Sequence, residues 1–541
     1  MSQYDIGLIK FCTTDRQREI IKVLCETQSP TKAAAILGLR KRQPVQTAYK
    51  IMLARAKTGV YNKATMSHDP LPNNAIESKP IKAKRNARYV ITCAQNATPV
   101  FKEGLKSLRK YCDTSKAELV VIPIRYHNAT SQWTQKDEDN NWWAAEVAKD
   151  LVDKRTELCP NLVLLADIRI QPTAVRPTSG METFCGGQST IIGHPKLETV
   201  TIPTPQNTLS KLITTTGAIT VDNYTDSKAG KKGEHHHTFG ALVVEISGDS
   251  FFIRQINIDE DGSFYDLDSL YSGNKVTGGH RLAGLVLGDL HERFADPAVI
   301  KATFSNKDSI INTLNPEAIV LHDVMDFHSA NHHHAKKVFT KIAKHRGKRS
   351  SVEDEVNECA QFIERHTKPG QRVIFAPSNH PDALARWVED SDWKYDPENA
   401  VFYLKTALVM AESAKMSESG ASCLDPFVYW MREKLSCVDR CEFPVRDESV
   451  SIAGIECGMH GDKGPNGARG NIRSFGRIGV KSVIGHSHTP GVVDGVYQVG
   501  TSSRLRMEYN GGPSSWMHTH CAIYKNGKRS LLFIIKGKWR G

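Results

Sequence analysis

GLVLGDLHER, residues 284–293, carries an apolar run into Gly288 and then presents Asp289 and His291. Leu285, Val286 and Leu287 form a short continuous apolar stretch, the pattern of a strand buried on both faces. On an extended chain, residues two apart point the same way, so Asp289 and His291 can face one ligand. The same construction recurs downstream. EAIVLHDVMDFHS (317–329) ends its apolar run at Asp323, and QRVIFAPSNHPD (371–382) delivers Asn379 and His380. SIAGIECGMHGDKG (451–464) delivers His460, and VKSVIGHSHTP (480–490) delivers His486 and His488, again two apart. Strand ends along one edge of a sheet are where α/β folds gather their sites. Asp289, His291, Asp323, Asn379, His460, His486 and His488 are enough donors for two divalent metal ions. Carboxylate, amide oxygen and imidazole together suit manganese, iron or zinc better than magnesium, which favours oxygen alone.

In order and in placement these blocks resemble the calcineurin-like metallophosphoesterase family. Its pattern runs Asp-x-His, Gly-Asp-x-x-Asp, Asn-His-Asp/Glu, a lone His, then Gly-His-x-His. The chain offers Asp289-Leu290-His291, His322-Asp323-Val324-Met325-Asp326, Asn379-His380-Pro381-Asp382, His460 and Gly485-His486-Ser487-His488. The resemblance covers roughly 280–530. It implies a β-sandwich flanked by helices, with Asp289, His291 and His488 on one metal and Asn379, His460 and His486 on the other. Asp323 would bridge the two, and His380 would be the catalytic acid beside them. Mn2+ is the expected cofactor. Three departures stand out: His322 replaces the family glycine, Phe327 replaces the arginine of protein phosphatases, and Pro381 interrupts the third block. The second departure argues against a protein phosphatase. The spacing of the blocks is similar to that of the DNA nucleases of the family.

The rest of the chain predicts an α/β protein of three units. Residues 1–62 read as an all-α, helix-turn-helix-like domain. Asp15 opens one helix, Ser29-Pro30 caps a second, and Gly38 supplies a left-handed turn. A third helix is expected from Arg40 onward. TKAAAILGL (31–39) resembles the second helix and turn of the DNA-binding motif, which would put Lys41, Arg42, Gln46 and Lys50 on DNA. A small helical bundle for protein contacts is the alternative. Residues 63–87, with Pro70, Pro72 and Pro80, read as a linker. Residues 88–278 read as an α/β domain of unassigned role, opening with the β-α-β pattern of ARYVITCAQ and AELVVIPI. His235, His236 and His237 are expected in a loop. Residues 279–541 form the metallophosphoesterase-like unit, closed by a hairpin at Asn526-Gly527. Within it, His332–His334 read as a polar helix face, and KKVFTKIAKHRGKR (336–349) as a basic contact to a DNA backbone.

Charge supports the same partner. Residues 1–110 hold 21 Lys+Arg against 7 Asp+Glu, while the whole chain of 541 residues carries +12. Positive charge concentrated at the front suggests a polyanion there. Twelve cysteines lack a zinc-like pairing, and free thiols are expected. No apolar run is long enough for a membrane span or secretory signal, so a cytoplasmic place is expected, with no membrane partner. A homo-oligomer is left open. The leading expectation is a metal-dependent DNase, similar in its assembly to an early host-DNA-degrading protein of a tailed bacteriophage and then acting in the host cytoplasm. The alternatives are a phosphatase or cyclic-nucleotide phosphodiesterase on small substrates, and a non-catalytic DNA-binding regulator.

Overall fold

The computed structural model describes residues 4, 8–9, 12, 15–58, 81, 84–131, 133, 142–205, 208–416, 424–507 and 509–541. The protein is mixed α/β, with several sheets.

Three helices, Asp15–Thr27, Pro30–Ile36 and Gln43–Thr58, open the chain. Ser29 Oγ accepts from the Lys32 N–H at 3.4 Å, and Gly38 takes φ 67° to turn toward the third helix. Ile20, Leu24, Ala33, Leu37 and Val45 share a small core. The third helix begins at Gln43 rather than Arg40. Pro44 suits a first helical turn, and the Arg42 carbonyl accepts the Gln46 N–H at 3.2 Å. Lys41 and Arg42 therefore lie in the turn, while Gln46 and Lys50 lie on the helix; all four are exposed. Most of the expected linker, 63–80 and 82–83, lies outside the described residues.

The next segment opens as a β-α-β unit. Asn86–Gln95 and Glu118–Ile124 pair in parallel around the helix Lys102–Ser115. Gly240–Ser247 and Ser250–Asn257 extend this sheet to four strands. The three histidines expected in a loop belong to a helix end instead. Ser227 caps Lys228–His236 by accepting from Gly230, and His237 bonds to Tyr224 at 2.8 Å.

A ten-stranded sheet runs across the boundary expected at 278/279. Thr199–Ile202, from the first side, lies beside Gly491–Val493, from the second, with Val492 paired to Thr199. The other large sheet has six strands, in the order Cys441–Glu442, Arg372–Phe375, Ala318–Leu321, Gly284–Val286, Thr519–Ile523, Arg529–Phe533. Its first four strands are parallel. The last two form an antiparallel hairpin that turns at Gly527, φ 74°.

Alternation along these strands builds both sides of the core. Leu285, Ile319 and Val373 are register partners and pack with residues of the helices Val352–His366 and Asp382–Asp390. Val286, Val320 and Ile374 face the opposite way and pack with Ile452, Val483 and Val492 of the ten-stranded sheet. Sheet thus lies on sheet, with helices outside. The parallel strands end together, and their following loops meet the loops after Ile455–Glu456 and Ser482–Ile484.

Candidate metal centre

Each expected donor leaves a strand at this common edge within a few residues of the strand's last paired position. Asp289 follows Gly284–Val286 by way of Gly288, where a Cβ would press to 2.8 Å from the Thr519 carbonyl oxygen. The Asp289 backbone is fixed from the other side: Ser502 N–H and Thr501 Oγ1 both donate to its carbonyl, at 2.8 and 2.9 Å. Gly485 is equally constrained, because a Cβ there would collide with Oδ1 of Asp289.

The backbone is unusual at the donors. His291, Asp323, His486 and His488 have φ of 43°, 41°, 72° and 58°. Left-handed geometry at a residue with a side chain costs about 1–3 kcal/mol and persists only when its surroundings impose it, typically at functional sites.

Three groups of donor atoms converge. Asp289, His291 and His488 form one, Asp323, His460 and His486 a second, and His291, Asp323 and His380 a third; within each, the atoms lie within 4.8 Å of one another. Nε2 of His291 and Nε2 of His488 are 3.0 Å apart, and His488 Nε2 is 3.1 Å from Asp289 Oδ2. His460 Nε2 lies 3.0 Å from Asp323 Oδ2. Asn379 Oδ1 lies 3.0 Å from His486 Nδ1 and so joins the second group. All seven expected ligands are therefore brought together, with His291 common to the first and third groups and Asp323 to the second and third. His380 stands at their edge, its side chain 23% exposed.

These residues fit a cation better than they fit one another. Oδ1 of Asp289 is buried without a hydrogen bond, and Oδ2 of Asp289 and Nε2 of His460 have only the close approaches to His488 and Asp323 given above. Such orphaned atoms are costly in a protein interior unless a metal or charge satisfies them. Nε2 of His291 and Nε2 of His488 face each other, where a shared cation could take both nitrogens.

Electrostatics sorts the donors. Burial alone would raise the Asp289 carboxyl, but the imidazoles of His488 and His460 outweigh it and hold the pKa down to about 2. Asp323 is likewise held low against its burial, chiefly by His460 and His380. Burial opposes a charge on His460, yet Asp323 and then Asp289 lift it to about 9. Burial keeps His486 and His488 below the usual imidazole range, which favours the neutral, ligating form.

Four supporting residues carry no assigned role in the sequence reading. Asp326 Oδ1 lies 2.9 Å from Nδ1 of His291, which leaves Nε2 of that ring for a ligand. It is the second Asp of the second block in the metallophosphoesterase pattern that the sequence resembles, so the motif could have flagged it. The Asp326 carbonyl accepts from Nδ1 of His380 at 2.8 Å, and the His380 N–H reaches Asp323 Oδ1 at 3.3 Å. His322, in the family's glycine position, is buried behind the second group, with Nδ1 at 3.2 Å from Nδ1 of His460. Burial, then His460, lower its pKa to about 4. Carboxylate or imidazole partners of this kind orient metal-binding histidines. Arg446 bonds Asp382 at 2.6 Å and Asp462 at 3.0 Å, tying the third block to the fourth. Asp382, displaced by Pro381, is thus occupied by a guanidinium. Phe327 is buried against Trp387, with no cation at that position.

Of the expected DNA contacts, Gln46 and Lys50 belong to the helix Gln43–Thr58 and Lys41 and Arg42 to the turn before it, away in sequence from these loops. The helix Val338–Arg346 is anchored beside the centre, with Lys344 Nζ bonded to the His328 carbonyl at 2.5 Å. His332–His334 form a 3-10 turn just before it, in which His334 is buried.

Protein A1 of Escherichia phage T5 is 33% identical to this chain over 470 residues, which span 85% of this chain and 84% of that protein. No family model matches the chain. No solved structure matches it either.

Proposed function

The chain belongs to the family of Protein A1 of Escherichia phage T5, and on that premise we propose that it is a metal-dependent deoxyribonuclease of phage origin, acting on DNA in the host cytoplasm. The observation that carries the reading is the convergence of seven donors, in metallophosphoesterase order, on one buried centre where the group with His291 and Asp323 lies between the other two. Asp289, His291 and His488 would hold one divalent ion and Asn379, His460 and His486 the other, with Asp323 between them. Such ions, Mn2+ by preference, would neutralise a phosphodiester and activate an attacking water.

The chain's own residues do the rest. Asp326 fixes the ring of His291, and His322 backs the ring of His460. His380 has Nδ1 engaged by a carbonyl, so its Nε2 is the nitrogen that can hand a proton to the departing oxygen. Substrate choice rests on charge: the basic front of the chain and the exposed cations of 336–349, from which buried Lys344 is excluded, suit a polyanion. The ligand set alone would equally serve a phosphatase or a cyclic-nucleotide phosphodiesterase.

One assay separates these readings. The purified chain is incubated with plasmid DNA, a cyclic nucleotide and a phosphoprotein, with Mn2+ and with chelator. DNA loss that requires Mn2+ is expected. Turnover of the cyclic nucleotide or phosphoprotein alone would replace the proposal with a small-substrate or phosphatase activity. DNA binding with no turnover of anything would replace it with a regulator.

A further inference from the structure

An aromatic pair, half-buried Trp516 and exposed Tyr509, leads outward from the centre. The indole of Trp516 packs edge-on against the ring of His488, with centroids 4.1 Å apart. Tyr509 in turn packs against Trp516 at 5.9 Å. Tyr509 is 53% exposed, so its ring is open to a ligand.

Both rings sit on fixed backbone. Arg506 donates to the carbonyls of Asn510 and Gly512 at 3.2 and 2.7 Å. The Asn510 side chain closes the same loop through Leu505 O and Met507 N–H, each at 2.8 Å. Ser210 Oγ holds the Trp516 carbonyl at 2.9 Å, and Thr489 Oγ1 meets Ser515 Oγ at 2.9 Å. The ledge is therefore shaped before any ligand arrives, which lowers the entropy cost of binding. Desolvation, and then the carboxylates of Asp326, Asp323 and Asp289, raise the Tyr509 phenol above its ordinary range. Tyr509 is tied to the donor cluster through Trp516, which touches both Tyr509 and His488.

We propose that Tyr509, backed by Trp516, is a stacking platform for the nucleobase next to the scissile phosphate, and so a specificity-determining residue that separates nucleotide diesters from other phosphodiesters. This rests on the phosphodiesterase reading above. Aromatic faces recognise any base, so the platform favours nucleic acid without favouring a sequence. Trp516 contacts His488, whereas His380 contacts His291.

The test compares two small diesters on the Mn2+-loaded full chain: the p-nitrophenyl ester of thymidine 5′-monophosphate and methyl p-nitrophenyl phosphate, which has no base. The wild-type chain should prefer the nucleoside ester in kcat/KM. Tyr509→Ala should lower that preference by roughly ten-fold, mostly through KM, and Tyr509→Phe should keep it. A preference unmoved by Tyr509→Ala, or lost equally in Tyr509→Phe, overturns the platform while leaving the phosphodiesterase intact. Failure of the wild-type chain to hydrolyse either ester overturns the phosphodiesterase reading and the platform with it.

Discussion

Asp323 and His380 share a group with His291 whose donor atoms lie within 4.8 Å of one another, but the two do different things. Asp323 is wholly buried, shared by two donor groups, and carries its charge against the cost of desolvation. Asp323→Ala should therefore lose bound metal and DNA cleavage together. His380 is partly exposed and stands outside the groups of Asp289 and His460. His380→Ala should keep the metals and lose about 10²–10⁴-fold in cleavage rate, the range for a missing general acid. Metal content by elemental analysis, read beside turnover, separates the two; full metal occupancy in the Asp323 variant would remove it from the bridging position.

His460 adds a pH dependence at the same scale. Its folded pKa is raised from 6.5 to about 9, so in the metal-free chain its ion pair with Asp323 stabilises fully below pH 6.5 and fades as pH rises through 9. A protonated imidazole cannot ligate, so metal uptake at pH 7 must expel that proton. Affinity for Mn2+ should climb between pH 7 and 9, with proton release on titration in weak buffer. Uptake at pH 7 with no proton released would contradict the assignment of His460.

At the scale of elements, the strands away from the centre carry their own charged device. Arg254, on Ser250–Asn257, bonds Asp266 at 2.7 Å and Glu245 at 2.8 Å, and Tyr111 from the helix Lys102–Ser115 adds a bond to Asp266 at 2.9 Å. All are buried. Removing one partner leaves an uncompensated buried charge, so Asp266→Ala should lower unfolding free energy by about 3–5 kcal/mol. Chemical denaturation measures it, and a loss under 1 kcal/mol would show that the network relaxes. Both carboxylates are held below their ordinary range, Glu245 and Asp266 by Arg254 against the cost of burial. Their contribution is present above about pH 4 and is lost as pH falls through the lowered values.

Element types were largely legible from local signals. Serine caps, Pro30, Gly38 and apolar strand runs predict the helices and strands found. The misses are local too. The helix ending at His236 hid in a Lys/Gly-rich stretch because its first turn depends on Ser227, a cap that does not stand out in such composition. The third helix starts three residues later than Arg40, as Pro44 sets its first turn.

At the scale of the molecule, the basic front and the centre form one prediction. If residues 1–62 grip DNA through Lys41, Arg42, Gln46 and Lys50, deleting them should weaken DNA affinity and flatten its salt dependence, since each phosphate contact released contributes to the slope. An unchanged slope would assign those helices another role. No helix among the described residues is long and apolar enough to cross a membrane.

The sequence by itself determined the donors, their order and their strand-end placement, because alternation, caps and two-residue spacing are local properties of a chain. It also marked the departures at His322, Phe327 and Pro381. What those departures do was decided only in three dimensions. His322 backs His460, Phe327 fills a core position against Trp387, and Arg446 takes up the displaced Asp382 from 64 residues away. The sheet that joins Thr199–Ile202 to Gly491–Val493 is equally invisible to local reading. Pairing partners, second-sphere contacts and the aromatic ledge at Tyr509 depend on which distant surfaces meet, and a linear pattern does not encode that meeting in any single window.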